Sequence, residues 1–158
     1  MAKLKGSAQL ENVLDFSVAF SSDGQAATIT FSNLLVSVSG KAPTVATQVA
    51  SFTLPTIENT TGLHIQMTIR GFVETLPGTR AALVAHLGDT TAVASLPKSA
   101  PSGDNFQQDL EATLPAGVAV QTTVFLLVEG NSGKENPGAL LTIDSLDFDI
   151  SGRHAGKA

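Results

Sequence analysis

Apolar and polar residues alternate along most of the chain, and a period of two is typical of β-strands that bury one face. In the segment VLDFSVAF, the apolar residues Leu14, Phe16, Val18 and Phe20 share one parity. The segment GLHIQMTIRGFV alternates in the same way over residues 63–69. We therefore expect these apolar residues to face a common core.

Turn signals separate the alternating runs. Asp23-Gly24 is a strong hairpin signal, because glycine readily adopts the positive φ that such turns require. The seven prolines lie between the runs, where a missing backbone N–H is tolerated. About ten strands and no convincing helix predict an all-β protein, a two-sheet antiparallel β-sandwich, with a jelly roll favoured over an immunoglobulin-like Greek key. We expect one domain over residues 1–158, with flexible ends at 1–10 and 152–158.

The inward parity changes twice. After Ile29, the apolar residues Leu34, Val36 and Val38 continue on the opposite parity, which predicts a bulge or bend near Asn33. A second change falls within LLTIDSLDFDIS, residues 140–151, and predicts a bulge at Asp144-Ser145.

That second segment also carries three aspartates, Asp144, Asp147 and Asp149. Asp147 and Asp149 have outward parity, where charged side chains solubilise a strand and deter edge pairing. Alternatively, the three carboxylates help to bind Ca²⁺, which takes six to eight oxygen ligands. Same-face carboxylates are about 7 Å apart along a strand, so a calcium site would also need the bulge and a loop. Calcium is the only cofactor that the sequence suggests.

Three basic side chains define a second candidate site. His64, Arg70 and His86 have outward parity on strands that follow one another in the chain. A polar sheet face explains them, because exposed strand faces are polar by default. The alternative is a shallow site for an anion or another ligand.

Composition excludes several classes of protein. The chain has no cysteine, which excludes a disulfide framework, a thiolate metal site and a cysteine nucleophile. Its 14 acidic and 9 basic residues give a net charge of −5 with no basic run, so we expect no nucleic-acid partner. The sequence contains no run of 18 apolar residues, so it predicts no membrane span. The first residues lack the apolar core of a signal peptide, and the compartment stays open.

Motifs for catalysis are absent from the sequence. It contains neither a G-x-S-x-G elbow nor an H-E-x-x-H pair. Glu74, Glu111 and Glu129 would form a glycosidase pair only if two of them lay close together in space. We therefore predict a protein that is not an enzyme.

The segment TTVFLLVE, residues 122–129, is apolar at both parities. Phe125 and Leu127 alternate with Val124 and Leu126, so both faces of this strand need cover. The second face is covered either by the edge of the other sheet or by another subunit. A homo-oligomer is therefore an open alternative. Our first functional hypothesis is a non-enzymatic binding or structural module, with self-association and a glycan or cell-surface ligand as open alternatives. The second is a calcium-dependent carbohydrate-binding or carbohydrate-active protein.

Most of residues 13–150 resemble a family of small secreted fungal and bacterial β-domain proteins of unknown function. Three segments carry the resemblance: FSVAFSSDGQAATITFSNLLVSV, GLHIQMTIRGFVETLPGTRAALVAHLG and GALLTIDSLDF. Two short motifs of that family are matched within them, by Arg70-Gly71-Phe72 and by Asp144-Ser145-Leu146-Asp147. The resemblance implies secretion or a cell-surface location, although the paired cysteines and signal peptide of the family are missing here. A second resemblance is to calcium-binding carbohydrate-recognition jelly rolls, whose last strand often bears an aspartate.

Overall fold

The chain folds almost entirely into β-strands. The computed structural model describes residues 3–4, 9–11, 16–38, 45–54, 56–57, 62–75, 79–88, 90–95, 100–130 and 138–150. In these ranges no helix long and apolar enough to cross a membrane is present. The strands are β1 (Lys3–Leu4), β2 (Gln9–Glu11), β3 (Phe16–Phe20), β4 (Ala26–Phe31), β5 (Leu35–Val38), β6 (Val45–Leu54), β7 (Thr56–Ile57), β8 (Leu63–Thr75), β9 (Arg80–Leu87), β10 (Thr90–Ser95), β11 (Ala100–Leu114), β12 (Val120–Glu129) and β13 (Ala139–Asp149).

These strands form two large antiparallel sheets. The front sheet has the order β11-β8-β13-β4-β3, with β5 also paired to β13, and the back sheet has the order β10-β9-β12-β6-β2. β1 and β7 form a separate pair. The predicted two-sheet antiparallel sandwich is confirmed. From β8 onward the chain passes repeatedly between the sheets, with β8, β11 and β13 in front and β9, β10 and β12 behind.

Inward residues of both sheets meet in one apolar core. Ile29, Ile65 and Leu126 are fully buried, and Phe148 is 1% exposed. The Phe31 ring packs against a ring of the back sheet, Phe52, with ring centroids 5.4 Å apart. The sheets therefore interdigitate through alternate side chains, as the period of two predicts.

The first hairpin forms where Asp23-Gly24 predicts it. Gly24 has φ of 74°, and its N–H donates to the Ser21 carbonyl oxygen at 3.0 Å. The Asp23 carboxylate accepts hydrogen bonds from the Ser21 hydroxyl at 2.7 Å and from the Gln25 N–H at 2.9 Å. The side chain of the aspartate thus closes the turn while the glycine supplies its backbone conformation.

Both predicted changes of parity are also present. β4 ends at Phe31 and β5 resumes at Leu35, and Leu34, Val36 and Val38 are buried. On β13, the register against β8 shifts between Ile143 and Ser145. Asp144 is therefore the extra residue of a β-bulge.

One expectation about the edge of the front sheet is wrong. Phe16 is 39% exposed, because β3 lies at the edge of the front sheet, where the inward side has less cover. Within the predicted flexible end 1–10, Lys3–Leu4 and part of Gln9–Glu11 are strands, and the Leu4 side chain is 2% exposed. The other predicted flexible end, 152–158, lies outside the described residues.

Candidate functional site

A hydrogen-bonded polar network crosses the outer face of the front sheet. Arg70 Nε donates to Asp147 Oδ2 at 3.1 Å, and the Thr28 hydroxyl donates to Asp147 Oδ1 at 2.6 Å. Arg70 Nη1 donates to Gln107 Oε1 at 2.8 Å. These four side chains come from the neighbouring strands β11, β8, β13 and β4, because the register pairs Arg70 with Gln107 and Asp147 with Thr28. The strands hold the polar groups in place, which preorganises them for a ligand.

Two shallow depressions flank Arg70. The larger one has a volume of about 440 Å³, and its apolar part includes the half-buried Phe106. The smaller one, about 270 Å³, lies on the side of Asp147. Polar groups surround Phe106 in the larger depression, whose lining is Arg70, Gly71, Asn105, Phe106, Gln107, Asp144 and Ser145. The smaller depression is lined by Ala26, Ala27, Thr28, Gln66, Thr68, Arg70, Asp147, Phe148 and Asp149.

Carboxylates dominate this face. In the described part of β8, β11 and β13, the outward and bulge positions carry one guanidinium, that of Arg70, against the carboxylates of Glu74, Asp109, Glu111, Asp144, Asp147 and Asp149. An anionic ligand would meet a negative potential here. The face is suited to a neutral ligand that donates hydrogen bonds to carboxylates and amides.

Unused hydrogen-bonding groups lie further along β8. His64 Nε2 is 3.6 Å from Glu111 Oε1. His64 Nε2 and Gln66 Oε1 are shielded from solvent and have no hydrogen-bond partner among the described residues. Buried polar groups are normally paired, so these two atoms are exceptions on β8.

The predicted site of His64, Arg70 and His86 does not come together. His64 and Arg70 lie on β8, six positions apart, which is about 20 Å along a strand. His86 lies on β9 in the back sheet, on the opposite side of the molecule. β8 and β9 follow one another in sequence, but the chain changes sheets between them. Only Arg70 belongs to the polar network.

The three aspartates likewise serve different roles. Asp147 is held by Arg70 and Thr28, whereas Asp144 stands exposed at the bulge and accepts a hydrogen bond from the Thr142 hydroxyl at 3.3 Å. Across the described ranges, no three histidine, cysteine or acidic side chains converge in a way that could hold a metal ion. The geometry gives no support to the calcium site predicted from Asp144, Asp147 and Asp149.

The glutamates do not form a glycosidase pair. Glu129 belongs to the back sheet, whereas Glu74 and Glu111 belong to the front sheet. Glu111 is opposite Gln66, eight positions from Glu74, or about 27 Å along the strand. Paired carboxylates in glycoside hydrolases are about 5 to 10 Å apart.

Four residues of the site were not among the sequence candidates: Thr28, Asn105, Phe106 and Gln107. Thr28, Asn105 and Gln107 have outward parity, which is the only local signal for them. Phe106 has inward parity on the edge strand β11, and its ring is left partly uncovered. Sequence alone could not place these residues together, because their strands meet only through the sheet order.

No family model and no curated protein matches the sequence. Among solved structures, a chain of infectious bursal disease virus Gt strain matches with 14% identity and a TM-score of 0.47, over 82% of this chain and 32% of the viral chain. This chain thus spans about a third of the viral chain. TmCBM61 in complex with β-1,4-galactotriose matches with 8% identity and a TM-score of 0.36, over 91% of this chain and 88% of that chain. The carbohydrate-binding module CBM6cm-2 of Cellvibrio mixtus lichenase 5A, in complex with cellotriose, matches with 10% identity and a TM-score of 0.34, over 89% and 88%.

Proposed function

We propose that the protein is a non-enzymatic binding module that holds a neutral oligosaccharide on the front sheet, beside Arg70. The larger depression beside Arg70 carries this proposal. Its lining combines the partly uncovered Phe106, on the edge strand β11, with hydrogen-bonding groups from Asn105, Gln107 and Asp144. A sugar ring has one apolar face and a rim of hydroxyl groups, so it is complementary to such a surface.

The size and the charge of the site agree with a neutral sugar. About 440 Å³ falls within the usual range of small-molecule sites, roughly 300 to 1,000 Å³. The acidic face repels phosphorylated or sulfated ligands, whereas carboxylates accept hydrogen bonds from hydroxyl groups. The smaller depression continues the polar surface past Arg70 towards Asp147. An oligosaccharide of several rings can therefore lie across both.

Binding can be measured by calorimetry with a panel of neutral and acidic oligosaccharides that includes cellotriose and β-1,4-galactotriose. We expect one of the neutral sugars to bind, with and without a calcium chelator. Asp144→Asn should weaken binding about tenfold to a hundredfold, since a hydrogen bond that involves a charged group contributes about 1.5 to 3 kcal/mol. Gln107→Ala should weaken it about twofold to tenfold, since a neutral hydrogen bond contributes about 0.5 to 1.5 kcal/mol.

His86→Ala is the matched control, because His86 is an exposed polar residue of the back sheet. It should leave the affinity unchanged. Failure of every sugar in the panel to bind would contradict the proposal. So would a sugar whose affinity responds to His86→Ala but not to Asp144→Asn.

A further inference from the structure

The outer face of the back sheet is apolar at its centre, in contrast to the front sheet. Phe125 on β12 is paired with Val49 on β6 and with Val84 on β9. Two positions along, Leu127 is paired with Ala82 of β9. Val49 is 37% exposed, and the other four side chains are half-buried. We call Val49, Ala82, Val84, Phe125 and Leu127 the apolar face.

Two pairs of polar groups beside the apolar face are satisfied within the chain. At one end, Arg80 Nε donates to Glu129 Oε1 at 2.5 Å, so the two charges neutralise each other. At the other end, the hydroxyl groups of Ser51 and Thr123 hydrogen-bond at 3.3 Å. A partner can therefore cover this face without leaving a charge unpaired in the interface.

We infer that the apolar face binds a second copy of this chain, so that two back sheets stack face to face. Charge favours this orientation over the others that two copies could adopt. The molecule has a net charge of −5, so two copies repel each other in most orientations. The carboxylates concentrate on the front sheet, and a dimer formed through the back sheets keeps the two acidic faces farthest apart.

The area of the sheet is also adequate. Strands β10, β9, β12 and β6 are neighbours, and four strands about 4.8 Å apart with nine residues at about 3.4 Å each give a footprint of roughly 600 Å². Stable interfaces bury about 800 Å² per partner, and weak ones about 600 Å² or less. We therefore expect a dimer that forms in a concentration-dependent way. Sheets that stack face to face pack about 10 Å apart.

Sedimentation velocity over a wide range of protein concentrations tests the inference. The wild type should shift from monomer to dimer as the concentration rises. Phe125→Lys should weaken the dimer about thirtyfold or more, since a central aromatic residue is typically a dominant contact. Thr30→Lys places the same charge at an exposed position of the front sheet and should dimerise at least as well as the wild type. Circular dichroism verifies that both variants keep the β-fold.

The absence of native cysteine permits an independent measurement. Ala82→Cys should be linked into a dimer by a bis-maleimide whose spacer spans about 10 Å, the usual distance between packed sheets, whereas Thr30→Cys should stay largely monomeric. A wild type that remains monomeric at its solubility limit would overturn the inference. A folded Phe125→Lys variant that dimerises like the wild type would do so as well. Because Phe125→Lys leaves the front sheet intact, it should still bind the oligosaccharide, so the two proposals fail separately.

Discussion

Replacing Gly71 by alanine tests the packing beneath the candidate site. Gly71 lies on β8, opposite Phe106 of β11 and Ile143 of β13, next to the bulge. An added Cβ would lie 2.6 Å from Phe106 Cζ and closer still to the carbonyl oxygen of Thr142. The ring can rotate away, but the carbonyl belongs to the backbone of β13. Relief of this second clash therefore requires β8 and β13 to move apart.

The expected loss of stability follows from that geometry. Overpacking usually costs about 1 to 3 kcal/mol, and a clash with backbone belongs at the upper end of this range or above it. With a urea m-value of about 1 to 3 kcal/mol per molar, a loss of 3 kcal/mol lowers the unfolding midpoint by about 1 to 3 M. Displacement of the Phe106 ring would also deform the larger depression, so oligosaccharide binding should weaken in the same variant.

Gly117→Ala is the matched control for the urea experiment. Gly117 has φ of +77°, and an added Cβ would meet nothing within 4 Å. This variant therefore measures only the strain of the left-handed backbone, about 1 to 2 kcal/mol. If Gly71→Ala unfolded at the wild-type midpoint, or lost less stability than Gly117→Ala, the close approach of β8, β11 and β13 would be refuted.

Three further predictions concern the core, the polar network and metal binding. Phe148→Ala removes a ring that is 1% exposed and should cost about 3 to 5 kcal/mol in urea unfolding; a loss below 1 kcal/mol would mean that this ring is not in the core. In a double-mutant cycle, Arg70→Ala and Asp147→Ala should couple by less than about 1 kcal/mol, because their side chains are 53% and 36% exposed. A larger coupling would indicate a rigid, desolvated pair. Calcium should leave the thermal midpoint unchanged, and a saturable rise that Asp144→Asn abolishes would restore the calcium hypothesis.

The sequence is informative where the decisive interaction is local. Alternation alone identifies Ile29, Leu34 and Phe148 as inward residues, and all three are buried. The bulge at Asp144 can be predicted from the sequence in the same way, because a change of parity within one strand requires an extra residue. Hairpin turns also depend on neighbouring residues only, and Asp23-Gly24 is an example.

Interactions between distant segments lie beyond such patterns. Parity shows that His64 and His86 point outward, but not that their strands belong to different sheets. Parity likewise assigns Phe16 to the inward side without showing that an edge strand leaves it 39% exposed. These properties depend on the order of strands in each sheet, which is set by pairing between residues far apart in the chain.

The candidate site is an extreme case of this dependence. Thr28 and Asp147 are separated by 119 positions, and Arg70 joins them only because β13 lies between β4 and β8. The same alternation that buries one side of every strand leaves the other side free to differ between the sheets. One outer face has become acidic and polar around Arg70, and the other apolar around Phe125. Because the core separates the two faces, each can acquire its own partner, and a substitution on one should leave the other unchanged.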